Sequence, residues 1–228
     1  MSGRVNTIDV TAQHWNEQPE WNAGCYWVEL PTVQRRLNRR ATGDPAQDWV
    51  QHSLARYFAG RLPLARCLSL GCGKGALERQ LARLGAFVEC DAVDVAPGSI
   101  AEAQARAAAE GYTHIHYTVA DVNTLTLPPS SYELILGNGS VHHFSALEHV
   151  FAQVAQALTP TGFFVLNEYI GRDRFQFPPR QREIIQACWQ LLPPAYRQPL
   201  PAAVAEHRRV ARQRHPLSWY LRRAREKW

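Results

Sequence analysis

The sequence contains no apolar run long enough to cross a membrane. A spanning helix needs about 18 consecutive apolar residues, and no such run occurs in the 228 residues. The first residues, MSGRVNTIDVTAQHWNE, lack the apolar core of a signal peptide. These absences predict a cytoplasmic protein that has no membrane as a partner.

Cysteine is scarce and scattered. The five cysteines include no CxxC pair, and they stand at Cys25, Cys67, Cys72, Cys90 and Cys188. An odd, dispersed set of this kind indicates neither a disulfide framework nor a zinc site. We therefore expect no bound metal, and we expect most of these thiols to be small buried apolar groups.

The excess of positive charge lies at the C-terminus. The net charge is +5, but the segment from His207 to Trp228 has eight Arg or Lys residues and a single acid, which leaves about −2 for the rest. Its arginines alternate with apolar residues such as Val210, Leu217 and Trp219. This spacing predicts a helix that packs on the domain with its arginines outward, and it predicts no specific nucleic acid partner.

Composition and punctuation divide the chain into three segments. A content of 46% hydrophobic and 20% charged residues fits one well-buried domain with an appendage. Residues 1–43 are aromatic and basic. This segment is predicted to fold as a lid over the ligand site of the core, with aromatic side chains from Trp15, Trp21, Tyr26 and Trp27. Residues 44–171 form the predicted core, and residues 172–228 a helical segment that ends in the basic tail.

Within the core, short apolar runs alternate with segments of helical composition. The predicted strands are residues 67–71, 87–95, 115–121, 132–137 and 163–170. Alternation of this kind is typical of right-handed crossovers in a mostly parallel sheet covered on both faces. The sequence therefore predicts a doubly wound α/β fold.

Two capping patterns predict where helices begin. Asp44, followed by Pro45 and by Gln47, has the spacing of a capping box and predicts a helix over residues 46–59. Ser145 and Glu148 have the same spacing before a helix that is predicted to stop at residues 159–162.

A glycine turn follows the first predicted strand, in the stretch LSLGCGKGA. Gly71, Gly73 and Gly75 let the backbone adopt conformations closed to other residues and let a ligand approach the main chain at a helix N-terminus. Together with Ala76 the turn also satisfies the dinucleotide pattern GxGxxA. A nicotinamide or flavin enzyme therefore stays among the alternatives at this point.

Two acids at the ends of the next strands narrow the choice of cofactor. Asp94 ends the second predicted strand, where its carboxylate can accept hydrogen bonds from the two hydroxyls of a ribose. Asp121 ends the third, where its carboxylate can accept a hydrogen bond from an adenine amino group. Three strand ends thus converge on an adenosine.

With these motifs, residues 44–171 resemble the class I S-adenosylmethionine-dependent methyltransferases. LSLGCGKG is similar to their glycine motif, Asp94 to their ribose-binding acid, the Asp121-Val122 pair to their adenine-contacting residues, and YELILGNGSVHHF to their fourth motif. The resemblance implies a Rossmann-like methyltransferase fold with S-adenosylmethionine as cofactor. The implied cofactor-binding set is Gly71, Cys72, Gly73, Gly75, Asp94, Val95, Asp121, Val122 and Asn138.

The sequence departs from that family in two places. Lys74 stands where a small hydroxyl residue is common, and we expect it either to pair with the methionine carboxylate or to point to solvent. No convincing sixth or seventh strand follows Ile170, so the last one or two strands are either hidden or missing. A missing strand would leave an exposed sheet edge, through which a homodimer could form.

The acceptor side of the predicted site has several candidate bases. His142 and His143 follow the fourth strand, where members of this family that act on small molecules often have a similar pair, and Glu168 ends the fifth. The fourth motif is not of the Asn-Pro-Pro-aromatic type associated with nucleobase methylation. We therefore predict a small-molecule acceptor, methylated at oxygen, with His142, His143 or Glu168 assisting.

Two alternatives remain open from the sequence alone. A nicotinamide-dependent oxidoreductase would explain GxGxxA and Asp94. It would not explain Asp121, and the sequence has no Tyr-x-x-x-Lys pair to supply the acid of a short-chain dehydrogenase. A non-catalytic protein that keeps the methyltransferase sheet as a scaffold would explain the missing strands.

Overall fold

The structure is a computed structural model that describes residues 12–13, 30–170 and 177–191. The chain divides into two compact units, Met1–Ile170 and Gly171–Trp228. The aromatic residues of the predicted lid and the basic tail lie outside the described residues, so both remain predictions. No helix in the described ranges has the length and apolar content needed to cross a membrane.

The first unit alternates helices and strands as the sequence predicts. Its elements are α1 (Pro31–Thr42), α2 (Trp49–Tyr57), β1 (Leu64–Leu70), α3 (Ala76–Arg83), β2 (Phe87–Asp94), α4 (Pro97–Ala109), β3 (Ile115–Val119), β4 (Tyr132–Asn138), a 3-10 turn (Val141–His143), α5 (Leu147–Ala157) and β5 (Leu158–Asn167). The described part of the second unit contains one helix, α6 (Pro179–Leu191).

The strands form one five-stranded sheet in the order β3-β2-β1-β4-β5, and every neighbouring pair is parallel. The chain runs outward from β1 to β3 on one side and then crosses β1 to build β4 and β5 on the other. The order therefore reverses at β1, and in sheets of this kind ligands bind beyond the carboxyl ends of the strands at that point. The predicted α/β fold is confirmed.

Both faces of the sheet are covered, because successive strand residues point to opposite sides. Cys67 and Leu136 belong to a core cluster that includes residues of α2, α3 and α4. Leu68 and Ile135, one position away, belong to a second cluster with Val150 of α5. The apolar strands between two layers of helices hold the carboxyl edge of the sheet in place.

Helix α2 begins at Trp49, three residues later than the sequence predicts. Its N-cap is Asp48, whose Oδ1 accepts from the Gln51 amide (2.8 Å), while Gln51 Oε1 accepts from the Asp48 amide (3.3 Å). The prediction of Asp44 as N-cap is wrong, because the sequence contains two consecutive boxes of the form Asp-x-x-Gln and the second one caps the helix. The first box forms a turn in which Asp44 Oδ1 accepts from the Ala46 amide (2.8 Å).

The start of α5 also differs from the prediction. Its N-cap residue is Ala146, and no side chain of the cap residue closes the first turn. Instead, Asn123 Oδ1 accepts from the Ser145 amide (2.8 Å) and from the Ala146 amide (2.9 Å). The predicted box of Ser145 and Glu148 is therefore wrong, because a side chain 22 residues earlier satisfies these donors.

Strand β5 starts earlier and ends earlier than predicted. Leu158 pairs with Tyr132, and Phe163 pairs with Leu134 across a register irregularity, so residues 159–162 bulge within the strand instead of ending α5 with a turn. The strand ends at Asn167. Glu168 consequently lies just beyond the strand, at the same edge as the ends of β1 and β4.

Candidate functional site

A cavity of about 280 Å³ opens at the carboxyl edge of the sheet. Its walls come from the glycine turn after β1, the end of β2, the loop after β3 and the turn after β4. The lining residues are Gly71, Gly73, Asp94, Val95, Ser99, Ala120, Asp121, Val122, Asn123, Gly139, Ser140, His143, Phe144 and Ser145. The cavity thus lies where the strand order reverses.

The glycine turn is shaped by its neighbours on one side and open on another. Gly71 has a φ of +69°, and a Cβ there would lie 2.5 Å from the Cβ of Ser140, so only glycine fits against the turn after β4. Gly73 has a φ of +52°, and a Cβ there would meet nothing within 4 Å. The main chain at Gly73 is therefore accessible from the cavity, as a ligand lying against the backbone requires.

Asp94 ties the glycine turn to the end of β2. Its Oδ2 accepts from the Gly73 amide and its Oδ1 from the Ala96 amide, both at 2.9 Å. Each carboxylate oxygen has a second lone pair, and Asp94 lines the cavity. The side chain is therefore fixed in orientation and keeps the capacity to accept hydrogen bonds from a ligand's hydroxyls.

The loop after β3 presents an acceptor beside a donor. Asp121 Oδ1 accepts from the Asn123 amide (3.0 Å) and from Asn123 Nδ2 (2.8 Å), whereas no donor among the described residues bonds its Oδ2. The adjacent Val122 amide has no acceptor in the described ranges either. The Watson–Crick edge of adenine offers the complementary pair, an amino group and the acceptor N1, so this edge of the cavity fits an adenosine cofactor.

The two histidines after β4 differ in their surroundings. His143 lines the cavity, and the rings of His142 and His143 lie 3.9 Å apart between centroids. His142 Nδ1 lies 2.7 Å from Glu168 Oε2. The imidazole pair is therefore anchored at His142, on the side away from the cavity.

Glu168 holds the turn after β4 rather than reaching the cavity. Its Oε1 accepts from the Ser140 and Val141 amides, both at 2.7 Å, and Oε2 contacts His142. Burial opposes ionisation of this carboxyl, but the hydrogen bonds from His142 and the two amides outweigh it and lower the pKa of Glu168. The ionised carboxylate thus acts as a cap for the 3-10 turn.

The structure brings most of the predicted site residues together. Seven of them line the cavity: Gly71, Gly73, Asp94, Val95, Asp121, Val122 and His143. Five do not: Cys72, Gly75, Asn138, His142 and Glu168. Gly75 is the N-cap of α3 and packs against the Tyr117 hydroxyl, and Asn138 Oδ1 accepts from Asn167 Nδ2 (2.8 Å). Burial raises the pKa of the Cys72 thiol, which is therefore an apolar neighbour of the turn.

Several lining residues escaped the sequence prediction. They are Ser99, Ala120, Asn123, Gly139, Ser140, Phe144 and Ser145. Ser140 Oγ donates to the Leu70 carbonyl (2.7 Å), which joins the ends of β4 and β1. In the sequence, only the small residues of GNGS after the fourth strand would have indicated that the turn after β4 lies so close to the end of β1. Asn123 directly follows the Asp121-Val122 pair and carried no separate signal.

Lys74 forms an ion pair within the domain, so it does not simply point to solvent, and its pairing with a methionine carboxylate stays a prediction. Its Nζ lies 2.7 Å from Glu102 Oε2, across the gap between the glycine turn and α4. The hydrogen bond from Lys74 outweighs the effect of burial and, with Arg106, lowers the pKa of Glu102. Lys74 therefore links the turn to a helix of the same domain.

Comparison with known proteins agrees with this geometry. Residues 67–162 match a family model described as a methyltransferase domain. A parallel sheet with this order, a glycine turn and two acids at successive strand ends is the arrangement of the class I S-adenosylmethionine-dependent methyltransferase fold, and the family match of residues 67–162 supports this class. The match is to methyltransferases, so the nicotinamide alternative is not supported.

Two curated relatives and one solved structure illustrate the similarity. The aklanonic acid methyltransferase of Streptomyces sp. (strain C5) is 30% identical over 62% of this chain and 59% of its own length. The malonyl-[acyl-carrier protein] O-methyltransferase of Enterobacter lignolyticus is 30% identical over 58% of this chain and 53% of its own length. A phosphoethanolamine N-methyltransferase 1 of Haemonchus contortus shares the fold, with a TM-score of 0.53 and 17% identity over 73% of this chain and 32% of that one. The chain thus spans little more than half the length of these two curated relatives.

Proposed function

We propose that the protein transfers a methyl group from S-adenosylmethionine to an oxygen atom of a small-molecule acceptor. The observation that supports this most directly is the cavity in which the glycine turn, Asp94 and Asp121 converge. The cofactor, when bound, supplies a methyl group made electrophilic by its sulfonium. The protein has to hold the cofactor, align the acceptor and, where the acceptor is protonated, receive a proton.

The residues of the cavity divide this work by position. Asp94, already oriented by two backbone amides, would accept hydrogen bonds from the ribose hydroxyls. Asp121 Oδ2 and the Val122 amide would bind the adenine edge. The open main chain at Gly73 leaves room for the rest of the cofactor beside the start of α3.

On the acceptor side, His143 is the proposed catalytic group because it lines the cavity. His142 and Glu168 would act through it: Glu168 fixes the turn and His142, and the His142 ring packs against the His143 ring at an interplanar angle of 45°. Glu168 already accepts three hydrogen bonds, so we assign it a positioning role.

The relatives support oxygen as the acceptor atom only in a limited way. One is named an O-methyltransferase and another acts on an acid, aklanonic acid. The phosphoethanolamine N-methyltransferase supports the fold alone, since its identity is 17%. Oxygen therefore remains a proposal that rests on the named relatives and on the imidazole at the cavity.

The test is a turnover assay that measures S-adenosylhomocysteine release with a panel of small hydroxyl, carboxyl and amine compounds. We expect release with oxygen nucleophiles, and for a hydroxyl acceptor a loss of about 100-fold in kcat for His143→Gln. His116→Gln, an exposed histidine on β3, is the control. Methylation of amines alone would contradict the acceptor assignment, and cofactor binding without any turnover would favour the scaffold alternative.

We also propose that two copies of the chain pair along the outer side of β5. β5 is an outer strand of the sheet, no strand in the described ranges pairs with its far side, and Phe163 and Leu166 are 37% and 44% exposed. An unpaired, partly apolar edge is a template for strand pairing. Light scattering should give a dimer that Leu166→Lys converts to a monomer, and a monomeric parent at high concentration would contradict this proposal.

A further inference from the structure

Asn123 uses one side chain to join two walls of the cavity. Its Nδ2 donates to Asp121 Oδ1 (2.8 Å), and its Oδ1 accepts from the Ser145 amide (2.8 Å) and the Ala146 amide (2.9 Å). Both lone pairs of the amide oxygen are thereby occupied. The side chain itself lines the cavity, between the loop after β3 and the start of α5.

The contact with Asp121 fixes which carboxylate oxygen faces a ligand. Asp121 Oδ1 receives both the backbone amide and Nδ2 of Asn123, so rotation of the carboxylate would break two hydrogen bonds. Oδ2 is the oxygen left without a donor in the described part of the chain. A carboxylate held in this way presents a pure acceptor at one position, as recognition of a base amino group requires.

The contact with α5 fixes the opposite wall. The N-cap residue Ala146 has no side chain that could cap the helix, and Asn123 supplies the acceptor for the Ser145 and Ala146 amides, which directly precede the first turn of α5. The adjoining Phe144 and Ser145 line the same cavity. The position of this wall and the orientation of Asp121 therefore depend on the same amide group.

We propose that Asn123 is a positioning residue that makes the site selective for adenine, by orienting Asp121, and that couples this recognition to the wall formed by Phe144 and Ser145. The proposal rests on the proposed function, since it assumes that an adenosine cofactor occupies the cavity. It assigns to Asn123 a role that no motif in the sequence indicates.

Two ligands separate base recognition from binding in general. S-Adenosylhomocysteine offers an amino group to Asp121 Oδ2 and the acceptor N1 to the Val122 amide. Its hypoxanthine counterpart, S-inosylhomocysteine, has a carbonyl oxygen and an N1–H at these positions, so acceptor would face acceptor and donor would face donor. We expect the parent protein to prefer the adenine compound by about 100-fold in Kd.

Asn123→Asp is the decisive variant. An aspartate keeps an acceptor for the Ser145 and Ala146 amides, but it removes the donor to Asp121 and places a second carboxylate beside it. By isothermal titration calorimetry we expect the adenine preference to fall by about tenfold or more, and Asn38→Asp in α1 should leave the preference unchanged. An unchanged preference in Asn123→Asp would overturn the inference.

The coupling to α5 has its own readout, which needs no ligand. Amide hydrogen exchange at Ser145 and Ala146 should be slow in the parent and in Asn123→Asp, and at least tenfold faster in Asn123→Ala, which removes the acceptor. Equal exchange in Asn123→Ala and the parent would contradict the coupling. If either variant fails to fold, Asn123→Ser replaces it, because serine lacks the amide donor and has a shorter side chain. Asn123→Ser should show both a weaker preference for adenine in calorimetry and faster amide exchange at Ser145 and Ala146.

The measurements distinguish a failure of the proposed function from a failure of the inference about Asn123. If the parent binds neither compound, the proposed function fails and the inference fails with it. If the parent binds S-adenosylhomocysteine with high preference and Asn123→Asp behaves like the parent, the proposed function stands and the inference alone is wrong.

Discussion

Among the carboxyl groups that the structure describes, that of Glu78 has the environment that differs most from an ordinary one. It lies in the first turn of α3, directly after the glycine turn, and is fully buried. Burial raises its pKa to about 7, against the opposing influence of the nearby Ser69 hydroxyl, its own helix backbone and Arg79. Other ionisable groups close enough to act on it or to be affected by it are Cys72, Cys90, Asp94 and Tyr117.

This burial predicts a pH-dependent stability. The folded pKa of about 7 lies above the ordinary 4.5, so the folded state binds the proton more tightly and stability falls as pH rises from 4.5 to 7. The loss is about 3 kcal/mol over that range. Glu78→Gln has no carboxyl to ionise at this position, so this loss of stability is absent in the variant. The melting temperature of the variant minus that of the parent should therefore increase as pH rises.

Differential scanning calorimetry from pH 5 to pH 8 measures this difference. Glu148→Gln, at an exposed position in α5, is the matched control and should track the parent at every pH. A constant difference in melting temperature between Glu78→Gln and the parent would show that Glu78 titrates as an exposed carboxyl does.

Glu168 supports a second prediction at the scale of the residue. Its removal in Glu168→Ala leaves the amides of Ser140 and Val141 without their acceptor, at a cost of about 3 kcal/mol. Urea denaturation should show a lower midpoint for Glu168→Ala and an unchanged midpoint for Glu148→Ala. Equal midpoints would mean that water replaces the carboxylate without loss.

At the scale of the element, the ends of β1 and β2 were predictable, whereas the bounds of β5 and the starts of α2 and α5 were not. The end of β2 at Asp94 follows from an apolar run closed by an acid, and β1 is marked by the glycines that follow it. α2 and α5 start elsewhere than predicted. A capping-box pattern in the sequence identifies a side chain that could cap a helix, but it does not show which of several competing side chains does so. Asp48 competes with Asp44 at the first helix, and Asn123 reaches the second from another loop.

The competing caps of α2 give a direct comparison. Asp48→Ala should destabilise the protein by about 1 kcal/mol, or about 3 °C in melting temperature, because Asp48 caps the helix and also accepts from Gln80 Nε2 (2.9 Å). Asp44→Ala removes only a turn contact and should cost less. The opposite order, measured by thermal unfolding, would restore Asp44 as the cap.

At the scale of the whole molecule, the position of the cavity follows from topology. The chain crosses from β3 to β4 past β1, so the loops that follow β1 and β4 diverge and leave space between them. The alternation of strands and helices in the sequence was enough to predict a sheet with such a crossing. The glycines and the two acids could be predicted because they stand at strand ends. Ser140, Phe144 and Ser145 could not, because their place in the wall depends on the register of β4 and on Asn123.

The central claim is that the cavity binds the adenosine part of S-adenosylmethionine through Asp94, and calorimetric titration with S-adenosylhomocysteine tests it most directly. We expect saturable binding at one site per chain. Asp94→Asn should raise the Kd by about tenfold or more through loss of the charged acceptor, while Asp44→Asn, outside the cavity, should match the parent. No binding by the parent, or an unchanged Kd in Asp94→Asn, would contradict the account.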